Sequence, residues 1–278
     1  MANAKKNKQN MAARADRHAY YEASVQDTES ELEFVSETFG ELTGRPLQSI
    51  REDFCGTGNT ACAWVASGHD RTAVGVDLDE PTLDWGRKHH VEALKKRARE
   101  RVHLVRGDVL DTPTEPVDAV LAMNFSYYLF TTRDRLLEYF RAALGALKPD
   151  GVLFLDAFGG YEAHQELEER TEYDNFTYVW DQSEFNPINQ HMTCRIHFEF
   201  PDGSEWRDAF VYEWRLWTLP EIRELLIEAG AGSTTVYWEG TDAETGEGDG
   251  IYSPSEQGDA DAGWIAYIVA RPNHLNPA

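Results

Sequence analysis

Apolar positions follow two different periods along the chain. Between residues 47 and 156, short strand-like runs, several of them nearly continuous in apolar residues, alternate with helical stretches; the runs are 47–53, 72–77, 102–106, 119–123 and 152–156. Runs apolar on both sides predict parallel strands buried between two layers of helix. Between them the sequence predicts a short helix from Thr60 that Gly68 ends. Another runs from Pro81 toward Arg101 with Asp79 as its N-cap. A third keeps Leu136, Leu137, Phe140, Leu144 and Leu147 on one face. Lys148-Pro149-Asp150-Gly151 reads as a turn.

From residue 176 to 217 the period drops to two. Phe176, Tyr178 and Trp180 alternate with polar residues, as do Met192, Cys194, Ile196, Phe198 and Phe200, and then Phe210, Tyr212, Trp214 and Leu216. Pro201-Asp202-Gly203-Ser204 is a hairpin signal. This segment predicts a small antiparallel sheet inserted into the α/β pattern. That pattern resumes with the capping box Thr218-Leu219-Pro220-Glu221, a helix closed by Gly230, and strands at 235–238 and 264–270. A glycine-rich acidic loop is expected over 240–263. Upstream, residues 18–39 have a helical pattern with a break near 27–30. The division that follows is a disordered tail at 1–17, a helical segment at 18–45, a core at 46–157, the insert at 158–217, the rest of the core at 218–271 and a tail at 272–278. No internal repeat is evident.

Charge narrows the partners. Lys and Arg number 26 against 49 Asp and Glu, a net charge of −23. Such a chain repels nucleic acid and anionic membranes unless a basic face is segregated. The one dense basic patch is Arg87, Lys88, Lys95, Lys96, Arg97, Arg99 and Arg101, which reads better as a solvated helix face than as an RNA site. Lys5, Lys6 and Lys8 sit in the expected tail. Cys55, Cys62 and Cys194 have neither disulfide nor zinc spacing, so no metal is expected and a reducing cytoplasm fits. The start carries no signal-peptide pattern, and no run approaches the roughly 20 apolar residues that span a bilayer.

The chemistry concentrates around Glu52-Asp53-Phe54-Cys55-Gly56-Thr57-Gly58, a strand end, a glycine turn and a helix start. Gly56 and Gly58 let backbone approach a ligand, and the helix N–H groups point at it. Asp77 and Asp108 follow at the ends of the next two strands, and Asn124-Phe125-Ser126-Tyr127-Tyr128 follows the fourth. Asp77 alone would also suit a nicotinamide dehydrogenase. Asp108 and the closing helix-strand-loop-strand unit favour another class.

With these motifs placed, residues 47–271 resemble a class I S-adenosylmethionine-dependent methyltransferase, whose opening pattern is similar to Asp-Leu-Gly-Cys-Gly-Thr-Gly. Phe54 replaces the first glycine, and either Glu52 or Asp53 could be the motif acid. The resemblance implies a Rossmann-like α/β fold, with a seven-stranded, mainly parallel sheet between helices and the small antiparallel insert as a lid. It implies S-adenosylmethionine as cofactor, held by Glu52, Asp53, Cys55, Gly56, Gly58, Asp77, Leu78, Asp108, Val109 and Asn124. Asp77 would take the ribose hydroxyls and Asp108 the adenine amino group. The insert resembles that of glycine and amino-sugar N-methyltransferases, and the whole chain looks like a group of bacterial methyltransferase-domain proteins.

The expected partner is a small-molecule acceptor methylated on nitrogen or oxygen, with an assembly of like chains left open. The alternatives are a methyltransferase on RNA or protein and a non-catalytic binder of the cofactor. The Asn-x-x-Tyr spacing loosely resembles amino methyltransferases of nucleobases, so Asn124 could hold an attacking amine and Tyr127 or Tyr128 could pack on the acceptor. His197 has a pKa range suited to a general base. Tyr21 could close over the site or pack its helix on the core. Asp156 could orient an amine or cap the Phe158-Gly159-Gly160 turn. Arg195 and Arg215 could bind an acceptor carboxylate or form ion pairs. Strand register decides whether the faces of His191, Arg195 and His197 and of Glu213 and Arg215 coincide.

Overall fold

The computed structural model describes residues 10–242, 245, 246 and 248–273. In chain order the elements are α1 (Arg17–Val25), α2 (Thr28–Thr43), β1 (Ser49–Asp53), α3 (Asn59–Ala66), β2 (Thr72–Asp77), α4 (Glu80–Gly86), α5 (Lys96–Arg99), β3 (Val102–Arg106) and β4 (Val117–Ala122). Then come α6 (Arg133–Gly145), β5 (Leu147–Gly159), β6 (Leu167–Tyr173), β7 (Phe176–Asn186), β8 (His191–Glu199) and β9 (Glu205–Arg215). The last are α7 (Leu219–Ala229), β10 (Ala231–Thr241), β11 (Gly248–Ser255) and β12 (Trp264–Pro272). They form two compact units: Asp27–Ala163 with Trp217–Ala278, and Met1–Gln26 with His164–Leu216.

In the larger unit an eight-stranded sheet has the order β11-β10-β12-β5-β4-β1-β2-β3. The five strands from β5 to β3 are parallel, and β12, β10 and β11 are added antiparallel. Side-chain alternation divides the strands between the two helical layers. Ile50, Leu121 and Phe154 pack with Leu32, Val35 and Phe39 of α2 and Trp64 of α3. Arg51 and Asp53 point the other way, where Tyr139 of α6 donates to Asp53. The sheet has one strand more than expected: β11 lies inside the acidic stretch that reads as a loop, and pairs with β10 from Thr241 and Gly248 to Val236 and Ser255. The expected turn at 148–151 is instead a bulged start of β5, where the register shifts between Val117 and Ala119. The helix expected to reach Arg101 breaks into α4, a wide turn at Arg87–Val91 and α5.

In the smaller unit β6-β7-β8-β9 form an antiparallel sheet. One face carries Phe176, Ile196, Phe198 and Phe200, and α1 covers it with Tyr20 and Tyr21. The expected tail at 1–17 is ordered from Met11 onward: Met11 N–H donates to Asp202 and Ala12 N–H to Ser204. Lys5, Lys6 and Lys8 lie outside the described residues. The break near residue 27 is present. Asp16 caps α1, Asp27 caps α2, and the boundary between the units falls at that break.

Candidate active site

β1 ends in Asp53, and the chain then turns through three residues of positive φ: Phe54 (56°), Gly56 (53°) and Gly58 (68°). Gly58 is also tight, because a Cβ there would meet Leu104. Gly86 lets α4 lie against the turn; its Cβ would sit 1.9 Å from the Thr57 carbonyl oxygen. At Gly56 an added Cβ would meet nothing nearer than the Thr82 methyl at 3.9 Å, so backbone is open to a ligand there. Phe54 offsets its left-handed backbone with packing, its ring lying 5.3 Å from Tyr139 and 6.0 Å from Phe130.

The two candidate motif acids diverge. Glu52 faces α3 and accepts from Ala61 N–H at 2.8 Å. Asp53 faces the opposite layer, between Arg51 (2.7 Å) and the Tyr139 hydroxyl (3.1 Å). Asp77 accepts from Gly56 N–H and Asp79 N–H, one on each oxygen and both at 2.8 Å. Each oxygen keeps a further lone pair, as a diol would require. Leu78 beside it is 65% exposed. Asp108 accepts from Leu110 N–H at 3.0 Å. Val109 and Cys55 are buried, and burial pushes the Cys55 thiol well up; both offer backbone rather than side chains. An open glycine turn, a carboxylate with spare acceptors and an exposed leucine fit the adenosyl part of S-adenosylmethionine.

After β4, Asn124 and Phe125 both have positive φ, and their N–H groups converge on Asp156 at 2.6 and 2.8 Å. Asp156 therefore holds the Asn124 turn and not the Phe158-Gly159-Gly160 turn. Tyr127 and Tyr128 are fully buried. The Tyr127 hydroxyl donates to the Asp156 carbonyl (2.7 Å), and that of Tyr128 to the Phe158 carbonyl (3.3 Å). Both are core residues and present no group to an acceptor.

Sequence reasoning missed Glu31. Glu31 of α2, Glu52 of β1 and Asp156 of β5 lie on the same side of the sheet near its carboxyl edge. No Lys, Arg or His pairs with any of them among the described residues. Burial, then Asp156, Glu52 and Asp27, push the Glu31 carboxyl up to about 8. Burial does the same to Glu52, to about 8, and to Asp156, to about 7, against the N–H groups that favour their ionised forms.

The other expected site residues lie in the smaller unit. His191 stands opposite Arg215 and Thr193 opposite Glu213, so the two polar faces coincide. His197 is buried and used at both ring nitrogens. Nδ1 accepts from Asp208 N–H at 2.8 Å, which leaves the proton on Nε2 to donate to Asp181 at 3.2 Å. It has no lone pair for a substrate proton. Arg195 pairs with Asp208 at 3.0 Å and donates to Ser183. Tyr21 packs on Phe210 at 4.8 Å. Arg215, half-buried, ends β9. In the larger unit the basic patch is partly committed: Arg87 pairs with Glu80 and Asp84, and Arg99 and Arg101 donate to backbone carbonyls.

Five parallel strands continued by antiparallel β12 and β10, a glycine turn after β1 and acids after β2 and β3 define the class I S-adenosylmethionine-dependent methyltransferase fold. Residues 53–151 match the family described as Methyltransferase domain. No curated protein matches the sequence. Among solved structures, an S-adenosylmethionine-dependent methyltransferase from Clostridium acetobutylicum is 18% identical, covers 92% of this chain and 97% of its own, and superposes with a TM-score of 0.64. CalS10, an amino pentose methyltransferase from Micromonospora echinaspora, is 17% identical over 96% of this chain and 99% of its own, with a TM-score of 0.63. The sugar N-methyltransferase KedS8 from a Streptoalloteichus species is 17% identical over 98% and 99%, with a TM-score of 0.61. At these identities the likeness is one of fold. Residues 53–151 thus match a methyltransferase domain, and the fold is that of the S-adenosylmethionine-dependent methyltransferases.

Proposed function

We propose that the protein methylates an amine nitrogen of a small-molecule acceptor, with S-adenosylmethionine as donor. One observation carries this reading: Glu31, Glu52 and Asp156 gather at the carboxyl edge of the sheet without a cation to pair with. Three desolvated carboxyls favour a cationic visitor, and an aliphatic amine arrives as its ammonium ion. A neutral hydroxyl brings no charge and would gain only a hydrogen bond from them. The amino-sugar and sugar N-methyltransferases among the similar structures support the nitrogen. A net charge of −23 and basic side chains already engaged argue against RNA.

Bound donor supplies an electrophilic methyl on a sulfonium. The chain's own residues bind and align: Gly56 and Gly58 open the backbone, Asp77 takes the ribose hydroxyls and Asp108 the adenine edge. Asp156 fixes the Asn124 turn beside the reacting centre. Glu31, whose carboxylate accepts no hydrogen bond among the described residues, takes the ammonium proton so that the amine lone pair is free.

The test is a mass-spectrometric screen of amines and matched alcohols, followed by pH profiles of wild type and Glu31→Gln. Amines are expected to turn over. The wild-type kcat/KM should rise with pH to a plateau above about 8, because Glu31 must be ionised to act. Glu31→Gln should lose roughly 10²–10⁴-fold and with it that pH limb. Turnover of alcohols alone, or an unchanged profile in Glu31→Gln, rejects the reading. Donor binding without turnover of any acceptor favours a non-catalytic protein.

A further inference from the structure

Arg51 is a charged residue in the middle of a central parallel strand, where an aliphatic side chain is the rule. It is 3% exposed, and Asp53 beside it 2%. Its Nε donates to Asp53 at 2.7 Å. Its fork reaches the loop after β3: Nη2 donates to the Val109 carbonyl (3.0 Å), Nη1 to the Thr112 carbonyl (2.9 Å) and the Thr114 hydroxyl (3.3 Å). That loop carries Asp108, whose own carbonyl and carboxylate fold it into a tight turn at Leu110, Asp111 and Thr112. The other oxygen of Asp53 is held by Tyr139 at 3.1 Å, and the next residue, Phe54, opens the glycine turn against the same Tyr139.

A buried pair of this kind adds little net stability over apolar side chains of the same volume. What it adds here is position. Three hydrogen bonds from one rigid fork, itself fixed by Asp53, tie the Asp108 loop to the strand that bears the glycine turn.

We propose that the Arg51–Asp53 pair is a positioning device that sets the Asp108 loop against the glycine turn and so fixes how selectively the adenine edge of the donor is read. Arg51 acts through the Val109 and Thr112 carbonyls and touches no ligand itself. The inference rests on the donor assignment made above, and the test separates the two.

The full chain is compared as wild type, Arg51→Lys and the charge-neutral double variant Arg51→Met with Asp53→Asn. Lysine keeps a cation beside Asp53 but cannot reach both carbonyls. The double variant leaves no unpaired buried charge and keeps an acceptor for Tyr139, so it is expected to fold. The first readout needs no ligand. Amide hydrogen exchange at 107–116 should quicken in both variants, while β1 and α6 exchange as in wild type. The second is affinity for S-adenosylhomocysteine and for its inosine analogue, in which a carbonyl replaces the adenine amino group. Wild type should prefer the adenine form, and both variants should lose at least fivefold of that preference.

Unchanged exchange at 107–116 in a folded variant, or equal loss of affinity for the two analogues, overturns the proposal. If wild type binds neither analogue the donor assignment fails, and loop exchange still decides the brace. A failure of the double variant to fold leaves Arg51→Lys to decide both readouts.

Discussion

Tyr127 and Tyr128 follow Asn124 at a spacing that suits a substrate-facing turn, yet both rings point into the core. Two consecutive residues of positive φ, Asn124 and Phe125, rotate the chain before the tyrosines are reached. Their hydroxyls then donate to carbonyls of β5, so that neither is buried without a partner. Tyr127→Phe should therefore cost about 1 kcal/mol, one neutral hydrogen bond, and lower Tm by about 2–4 °C while kcat stays at the wild-type value. A catalytic tyrosine would behave the opposite way, keeping Tm and losing kcat, so thermal melts and steady-state rates on one preparation distinguish the two. The same rule of burial explains Glu31. It occupies the apolar stripe of α2, four residues before Val35 and eight before Phe39, and a carboxylate in such a stripe is the sequence signal that went unused. His197 carried no comparable signal, because a bulge in β9 that offers Asp208 N–H to its ring is a matter of register.

Elements were legible in proportion to their burial. The five parallel strands and α6 and α7 announce themselves through apolar period and caps. β11 does not, being an edge strand with mostly exposed side chains and a composition rich in glycine, serine and proline. β5 hides its start because Lys148 and Asp150 flank a bulge that serves a charge network. There Asp118, its side chain fully buried, accepts from Arg45 (2.8 Å), Lys148 (2.9 Å), Gln48 N–H, Ser49 N–H and the Ser49 hydroxyl. Arg45 follows the C-terminus of α2 and also holds Asp150, so the network anchors that end of the helix to the start of β4 and β5. Burial works against the Asp118 carboxylate, but its partners outweigh it and hold the group at about 2. A depressed carboxyl stabilises the fold above its unfolded value near 4, and that contribution drains away as pH falls toward 2. Asp118→Asn should cost about 3 kcal/mol at pH 7, since two cations lose their buried partner. The gap between variant and wild type should close in urea titrations taken down through pH 4 to 2. A gap that persists unchanged at pH 2 would mean that packing, not charge, underlies the loss.

Over the molecule as a whole, 49 acids against 26 bases leave a charge that pairing cannot neutralise. Many of the ion pairs among the described residues are exposed; Arg133 with Glu228, Arg135 with Glu138 and Arg170 with Glu168 all keep both partners more than a third exposed. Such pairs are worth about 0–1 kcal/mol each, so salt has little to weaken there. Repulsion among the surplus carboxylates is spread over longer distances and is screened once the Debye length shrinks from about 10 Å at 0.1 M to about 3 Å at 1 M. The two effects oppose, and the charge surplus is the larger. Raising NaCl from about 0.05 to about 1 M should therefore increase Tm by several degrees in scanning calorimetry, about 2–4 °C for each kcal/mol of repulsion removed. A fall in Tm would place the balance with the ion pairs. Arg45 and Lys148 around Asp118 are the pairs to examine in that event, because there one partner is fully buried while the other stays open to the added ions.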